Sequence, residues 1–394
     1  MKVLYLSSLV SDSLFEELYQ KGLTTGFVGQ KYHGLFAKGL AASPDECQVT
    51  ALSQLPISKS FFRLKDGEDG IQFRYVPIVA LPVIKQLVHF IYTFFYTLYW
   101  CLKNIGEEKV VMSSLMRVYL YPSIWLPACL FRCKQITVAC DVPWMTTVQV
   151  ATSKLSAKQR FSIWLGKTMC GLFDGYVFLT ETMNDVLNPK KKPYIVVEGF
   201  CDMNMATVSN RLEDKEQKCV IIYAGGLNFK YGISNLVEAV KSLNDDSVEL
   251  WMYGSGDMDD ALKKETSPCI KFWGPRSNQE VVAAELKAAI LINPRPTTDE
   301  YTRYSFPSKT LEYMVSGTYT MTTRLAGIPS EYFDHCGVIE DYSAEGIATA
   351  LREALKISKE QLYAKGMSAK AFVLENKNNK KLAKRVIDFA HGIK

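Results

Sequence analysis

Residues 219–254, CVIIYAGGLNFKYGISNLVEAVKSLNDDSVELWMYG, contain the pattern of a strand, a helix and a second strand in close succession. The apolar run CVIIYA predicts a buried strand, and the glycine pair that follows predicts a loop. Residues 233–243 have apolar side chains at helical spacing, and VELWMY returns to the composition of a strand. Strands that alternate with helices are typical of a parallel sheet with crossover helices, so this segment predicts an α/β domain.

The same alternation continues through both halves of the chain. The predicted strands cover residues 2–8, 48–53, 71–77, 109–114, 135–140, 175–180, 194–199, 219–226, 248–254, 270–274, 290–294 and 318–323. Residues 201–218 are polar and aperiodic, which is typical of a linker. With 394 residues, the chain is long enough for two domains. We therefore expect two Rossmann-like parallel-sheet domains, at 1–200 and 219–368, that face each other across a cleft. A helix within 369–394 is expected to pack back on the first domain.

The composition excludes several classes of protein. Hydrophobic residues make up 48% and charged residues 22% of the chain, as in ordinary globular proteins. A net charge of +5 is too weak to indicate nucleic-acid binding, although it suits anionic ligands or an anionic membrane face. The ten cysteines form no CxxC pair or metal-like spacing. Together with the expected absence of a signal peptide, this predicts free thiols in the cytoplasm and no bound metal.

Residues 77–102, PIVALPVIKQLVHFIYTFFYTLYWCL, raise the question of membrane contact. Lys85, Gln86 and His89 interrupt the apolar run, and the part after His89 has only about 13 residues, whereas a spanning helix needs about 20. The segment is either a largely buried core helix or a helix whose aromatic face meets the headgroups of a membrane.

Four loops follow predicted strands in the second half of the chain, at 224–232, 253–257, 273–278 and 293–309. The carboxyl ends of parallel strands meet at one edge of the sheet, where open α/β sheets bind ligands. Gly225, Gly226 and Gly254 would let a ligand approach the backbone, although a single glycine pair is more often only a turn. Three of the loops also contain Lys or Arg, so the set predicts a phosphate-bearing ligand.

The stretch 304–317, YSFPSKTLEYMVSG, predicts a helix that begins with a proline, capping serines and charged side chains. Pro307 suits the first turn, and Ser305 or Ser308 could cap free amides there. The helix end and Lys309 would favour an anion, and Glu312 could accept hydrogen bonds from a ribose diol. The alternative is a solvent-exposed Lys–Glu pair at i, i+3.

Together these pieces resemble a known family. The segments GGLNFKYGI, GSGD and NPRPTTDEYTRYSFPSKTLEYMVSG, with VACDVP, DGYVFLTETMN and IVVEGF in the first half, look like retaining glycosyltransferases of family GT4. The likeness is nearest to the bacterial branch of cell-surface and exopolysaccharide biosynthesis. It implies a GT-B fold and transfer of a sugar from a nucleotide diphosphate sugar, with UDP favoured, and no required metal or other cofactor. It also implies a saccharide acceptor, lipid-linked, at the inner face of the cytoplasmic membrane.

The resemblance assigns roles to individual positions. The second signature glutamate of the family falls on Glu312, which is implied to bind the nucleotide ribose, whereas the first falls on Tyr304, a departure from the pattern. The usual phosphate-binding Arg and Lys fall on Gly226 and Tyr231. Lys230 and Lys309 are therefore the expected cations, with Arg295 or Arg303 assisting. The expected donor-binding residues are Gly26, Phe27, Gly225, Gly226, Lys230, Gly254, Trp273, Arg276, Arg295, Tyr304, Ser305, Phe306, Pro307, Ser308, Lys309 and Glu312.

Three residues are the expected catalytic groups: Asp141, His33 and Lys309. Asp141 ends a predicted strand and could orient the acceptor hydroxyl, or it could simply cap a turn. His33 follows the glycine-containing loop after the first strand, and could equally be a helix-face residue. Two other functions stay open, a sugar-nucleotide epimerase on the same fold and a non-catalytic sugar-nucleotide-binding subunit.

Overall fold

The computed structural model describes residues 1–24, 29–55, 57, 59–63, 65–114, 120–145 and 155–393. The chain divides into two compact units. The first contains residues 1–200 and the C-terminal residues from Asn379, and the second is Cys201–Asn378.

The first unit contains an eight-stranded sheet in the order β3-β4-β2-β1-β5-β6-β7-β8. Its strands are β1 (Lys2–Ser7), β2 (Gln48–Ser53), β3 (Lys65–Glu68), β4 (Ile71–Tyr75), β5 (Lys109–Ser114), β6 (Lys134–Ala139), β7 (Gly175–Phe178) and β8 (Tyr194–Val196). Only the β3–β4 pair among them is antiparallel. The buried runs of β1, β5 and β6 explain why a sequence pattern without polar alternation forms the middle of a parallel sheet.

The described helices of this unit connect the strands. They are α1 (Asp12–Gln20), α2 (Gln30–Ala41), α3 (Pro82–Lys103), α4 (Tyr121–Leu130), α5 (Ala157–Cys170) and α6 (Met183–Leu187). The C-terminal helix of the chain, Asn379–Gly392, packs against α2. Gly39 makes this contact close, because a Cβ there would lie 2.8 Å from the Cβ of Ala383.

The second unit is a six-stranded, fully parallel sheet in the order β11-β10-β9-β12-β13-β14. Its strands are β9 (Cys219–Ala224), β10 (Val248–Tyr253), β11 (Ile270–Gly274), β12 (Ile290–Asn293), β13 (Tyr319–Thr323) and β14 (Gly337–Ile339). Its helices are α7 (Ile233–Leu243), α8 (Asp259–Lys263), α9 (Asn278–Lys287), α10 (Ser308–Ser316), α11 (Ala344–Leu355) and α12 (Lys359–Asn376), and the C-terminal helix of the chain becomes α13.

The C-terminal region differs from its predicted form. Residues 369–393 were expected to form one helix on the first domain, but α12 ends at Asn376 in the second unit and α13 begins at Asn379 in the first. The break is fixed by a bridge between Cys201 and Asn378, and the Cys201 amide donates to the Lys377 carbonyl at 2.9 Å. Asn residues favour such breaks because their side chains compete for backbone hydrogen bonds.

Helix α3, which covers most of residues 77–102, has a buried side and an exposed side. Trp100, Thr93 and Thr97 are buried, whereas Phe95 and Tyr99 have 61% and 57% of their surface exposed. Among the residues that the structure describes, no helix has the length and apolarity needed to cross a membrane.

Candidate functional site

The order of strands in the second unit creates a switch point between β9 and β12. From β9 the chain proceeds outward to β10 and β11, then returns to β12 on the other side of β9 and continues to β13 and β14. The connections on the two sides of this point run in opposite directions and leave a crevice at the carboxyl ends of β9 and β12, where open α/β sheets bind ligands.

The loop after β9 forms one side of this crevice. Gly225 has a φ of 151°, and its amide donates to the Tyr253 carbonyl at 2.8 Å. A Cβ on Gly225 would collide with the side chain of Lys309, so the glycine leaves the space through which that lysine passes. The Tyr223 hydroxyl donates to the Gly226 carbonyl at 2.9 Å and fixes the next residue of the loop. The loop therefore places glycine backbone, without side chains, next to the Lys309 ammonium group.

Helix α10 points its N-terminus toward the same edge. The predicted serine cap is wrong, because the N-cap residue is Pro307, whose side chain cannot accept a hydrogen bond from the helix amides. The first amides of a helix have no partner within the helix, and together with the macrodipole they favour an anion. Buried Tyr313 ties α10 to β9, since its hydroxyl accepts from the Ala224 amide at 2.9 Å. Gly317 ends the helix with a φ of 82°.

The loop after β12 forms the other side. The guanidinium carbon of Arg295 lies 4.7 Å from the ring centre of Tyr231 and 5.9 Å from that of Tyr301. Lys230 is exposed, and its Nζ lies 5.2 Å from the same Tyr231 ring. The Lys309 Nζ lies 6.0 Å from the Tyr223 ring. Cations and tyrosine rings are thus interleaved at the switch point, as cation–π contacts allow.

The residues that precede α10 differ in accessibility. Phe306 is buried with its ring 5.4 Å from Tyr332, so its side chain belongs to the core. Tyr304 and Ser305 are half-buried, and Ser308 is exposed. Glu312 is half-buried in the second turn of α10. A ligand in the crevice could therefore contact the backbone of this stretch and Ser308 more easily than the Phe306 ring.

Three predicted residues lie further out along the sheet edge, at β10 and β11. Trp273, on the edge strand β11, is 41% exposed and its ring stacks on Tyr253 at 6.1 Å with an angle of 5°. Gly254 follows Tyr253 and packs against the Gly225 carbonyl. Arg276 is exposed beyond β11, with Glu280 at 4.0 Å. A flat aromatic surface therefore leads from the glycine loops to the sheet edge.

His33 lies on α2 in the first unit, which supports the helix interpretation over the loop one. Its ring is fully buried, and Nδ1 is hydrogen-bonded to the hydroxyl of Tyr5. Burial lowers the pKa of His33 to about 4, so the imidazole is neutral at pH 7. Within the described residues, its Nε2 has no hydrogen-bond partner.

Asp141 lies two residues after β6, at the carboxyl edge of the first sheet. Its side chain is exposed, yet the surrounding protein atoms limit its hydration and raise its pKa above the usual range. Of the other first-half predictions, Gly26 and Phe27 lie outside the described residues.

A group of three carboxylates lies elsewhere in the first unit. Asp12, Glu68 and Asp69 are close enough to share a cation. Lys38 already forms ion pairs with Asp12 at 2.6 Å and Asp69 at 2.9 Å. The cluster is therefore partly neutralised by the protein itself.

Tyr231 and Tyr301 were not among the expected donor-binding residues. Tyr231 and Tyr301 are 70 positions apart, and nothing local shows that β9 and β12 are neighbours. The pattern that could have found them is an aromatic residue close to a cation in both loops, Lys230–Tyr231 and Arg295–Tyr301.

Comparison with known proteins gives a family match for the second unit and structural matches for the whole chain. Residues 218–356 match the family model "Glycosyl transferases group 1", whereas no curated protein matches the sequence. Anabaena HepE in complex with UDP has a TM-score of 0.64 at 11% identity, over 98% of this chain and 99% of that one.

Two other solved structures give similar values. Sucrose-phosphate synthase from Thermosynechococcus elongatus has a TM-score of 0.68 at 12% identity, over 99% of this chain and 98% of that one. A glycosyltransferase from Rickettsia africae has a TM-score of 0.66 at 13% identity, over 100% and 98%. At these identities the structural likeness shows the fold, which is GT-B, as expected from the sequence.

Proposed function

We propose that this chain, a GT-B protein with a group 1 glycosyl transferase domain, transfers a sugar from a UDP-sugar to a hydroxyl of a saccharide acceptor. The anomeric configuration is retained and no metal is required. The acceptor is a lipid-linked saccharide, and the product belongs to a cell-surface polysaccharide.

The main support for the proposal is the switch point of the second unit. Lys309 passes over Gly225, Arg295 faces the crevice from the loop after β12, and α10 directs its N-terminus to the same edge. When a glycosidic bond to a nucleoside diphosphate breaks, negative charge gathers on the leaving diphosphate. Fixed cations and amides at that place stabilise the transition state more than the ground state. UDP is the favoured nucleotide because Anabaena HepE, of the same fold, binds it.

Two carboxylates have separate proposed roles. Glu312 would accept hydrogen bonds from the ribose hydroxyls, since it lies one turn from Lys309 on α10. Asp141 would orient the attacking hydroxyl of the acceptor. Its raised pKa and exposure suit contact with a neutral sugar hydroxyl better than contact with a phosphate.

Membrane contact is proposed for one face of the first unit. On α3, Leu87, Ile91, Phe95, Tyr99 and Leu102 are exposed at helical spacing and form a continuous apolar stripe. Contiguous apolar surface of this kind marks a site of interaction with a protein or a membrane.

Charge favours an anionic bilayer as the partner of this face. Residues 77–106, 120–135 and 151–173, which contain α3, α4 and α5, have no Asp or Glu. On α5, Phe161 and Trp164 are 61% and 59% exposed. Exposed aromatic side chains on a helix with basic but no acidic residues are typical of an interfacial helix.

Sheet topology puts these helices on one side. Helix α3 leads to β5, α4 leads from β5 to β6, and α5 leads from β6 to β7, all in the same direction along the sheet. Right-handed crossovers in one direction place their helices on one face.

The donor proposal is tested with the purified protein and a panel of UDP- and GDP-sugars. We expect one UDP-sugar to raise the melting temperature, and Lys309→Ala and Glu312→Ala to weaken that shift while the variants stay folded. Absence of any nucleotide-sugar shift would overturn the proposal. Turnover with EDTA present tests metal independence.

Incubation with donor alone and with lipid-linked acceptors separates the remaining alternatives. A transferase consumes donor productively only with an acceptor, whereas an epimerase converts the donor alone. A binding subunit shows the thermal shift but no transfer in either incubation.

Membrane contact is tested by sedimentation with vesicles. The protein is expected to bind phosphatidylglycerol vesicles more strongly than phosphatidylcholine vesicles, and a Phe161→Ser/Trp164→Ser variant to lose most of that binding. Tyr19→Ser is the matched control, because Tyr19 is 56% exposed on α1, which contains acidic residues. Equal loss in both variants would contradict the assigned face.

A further inference from the structure

Arg295 is held in place on both sides by the backbone of its own loop. Pro294 and Pro296 flank it, and a residue before proline is confined to extended conformations. The carbonyl of Arg295 accepts from the buried Thr323 hydroxyl at 2.6 Å. The main chain that carries the guanidinium is therefore fixed before any ligand binds.

The loop after β9 packs closely against the backbone next to Arg295. Gly232 has a φ of 78°, and a Cβ there would collide with the Pro294 carbonyl. Tyr231, the preceding residue, turns its ring to Arg295 at 4.7 Å. A Cβ on Gly226 would lie 3.0 Å from this ring, so Gly226 and Tyr231 fit each other. The two loops thus share one interface, and the guanidinium lies on it.

Within the described residues, the Arg295 guanidinium has no carboxylate counter-ion. Over the described ranges, no carboxylate forms a salt bridge with Arg295, although the side chain is half-buried. Burial raises the pKa of Tyr223 and of Tyr301, so the neighbouring phenols stay neutral. A half-buried cation among neutral rings is electrostatically suited to an external anion.

Lys230 is a weaker candidate for the same task. It is exposed on a short 3-10 turn, and its flexible ammonium is strongly hydrated. A guanidinium stacked on a ring loses less entropy for each hydrogen bond and can bind two phosphate oxygens at once.

We propose that Arg295, which lies over the ring of Tyr231 and within 5.9 Å of the centre of the Tyr301 ring, is the principal cation for the diphosphate of the donor, with Tyr231 as its positioning residue. This rests on the proposed function. It assigns the principal phosphate-binding charge to the loop after β12, since Gly226 and Tyr231 are uncharged and Lys230 of the loop after β9 is exposed.

Calorimetric titration with UDP, UMP and uridine tests the proposal. Arg295→Ala should weaken UDP binding by about tenfold to a hundredfold, the range for a charged hydrogen bond, while uridine binding stays as in the wild type. Arg295→Lys, which keeps the charge but not the planar fork, should give a smaller loss. Melting temperatures confirm that the variants are folded.

The positioning role of Tyr231 is tested by two variants at this position. Tyr231→Leu should weaken UDP binding selectively over uridine, because the guanidinium loses its platform, whereas Tyr231→Phe should bind UDP like the wild type. If the wild type binds UDP and Arg295→Ala binds it equally well, this inference is wrong and the proposed function stands. If the wild type binds no nucleoside diphosphate, the proposed function itself fails.

Discussion

The carboxyl edge of the second sheet carries cations, whereas that of the first carries Asp141 and buried hydroxyls. At the edge of the second unit lie Arg295 and Lys309, with tyrosine rings between them. At the edge of the first, the adjacent strands β2, β1 and β5 bring up buried Ser53, Ser7 and Ser113.

Two sheets of largely parallel strands therefore differ in the chemistry of their carboxyl edges. Cations suit a diphosphate, whereas the exposed Asp141 carboxyl group suits a hydrogen bond with a neutral, hydroxylated ligand such as a saccharide. The parallel sheet supplies the place, and the few residues after each strand decide the ligand. Variants that affect the two edges separately test this difference.

The largest effect is expected at Asp141. Asp141→Asn should lower turnover roughly 10²-fold, the lower range for a positioned acid–base or orienting group, because the acceptor hydroxyl loses its carboxylate partner. The affinity for UDP should not change, since UDP is assigned to the other unit. Steady-state kinetics with a calorimetric UDP titration measures both. A parallel fall in UDP affinity would contradict the division of roles.

The next effect concerns the neutral imidazole of His33. The pKa of His33 is lowered to about 4 in the folded protein, against about 6.5 when unfolded. The unfolded chain therefore binds more protons between these values. The contribution of His33 to the free energy of unfolding should be complete above about pH 6.5. It should fall by roughly 3 kcal/mol in total as the pH drops toward 4.

Urea titrations at pH 7 and pH 5 measure this dependence. His33→Gln should flatten it, because the titrating group is gone. His391→Gln is the control, since His391 is exposed on α13 and paired with Glu108. An unchanged slope in His33→Gln would mean that the imidazole does not titrate as its burial implies.

On the cationic edge, Gly225→Ala should lower UDP affinity by about tenfold or more. The new Cβ would displace the Lys309 side chain, and a φ of 151° also strains an alanine. Gly106→Ala is the matched control, because Gly106 has a φ of 87° but no atom of the described residues within 4 Å of where its Cβ would lie. If both variants bind UDP like the wild type, Lys309 does not act at this place.

The sequence allowed much of the fold to be predicted, and the reason is local. The helix at 233–243 and the strand at 219–224 have the predicted bounds or nearly so, because buried runs and helical spacing are properties of a short window. The strands β3 and β14 were not predicted, because KDGE is polar and GVI has only three residues. Both are edge strands, where burial leaves little pattern.

The site was only partly predictable for a different reason. Gly225 and Lys309 each belong to a recognisable loop or helix start, and each was expected to bind the donor. The contact between Arg295 and Tyr231 depends on β9 lying next to β12, which is a property of the whole sheet. The serine cap failed because Pro307, with a ψ of 99°, takes the N-cap position itself.

The smallest effect is expected at Tyr301, where the hydroxyl and the ring can be separated. The phenol oxygen is buried and, in the part of the chain described, makes no hydrogen bond. Tyr301→Phe removes this unsatisfied group, so the free energy of unfolding should stay equal or rise by about 1 kcal/mol. The ring beside Arg295 remains, so UDP affinity should not change. Thermal denaturation and the UDP titration measure the two quantities. A loss of UDP affinity in Tyr301→Phe would mean that the hydroxyl, and not the ring, is what the cationic edge requires.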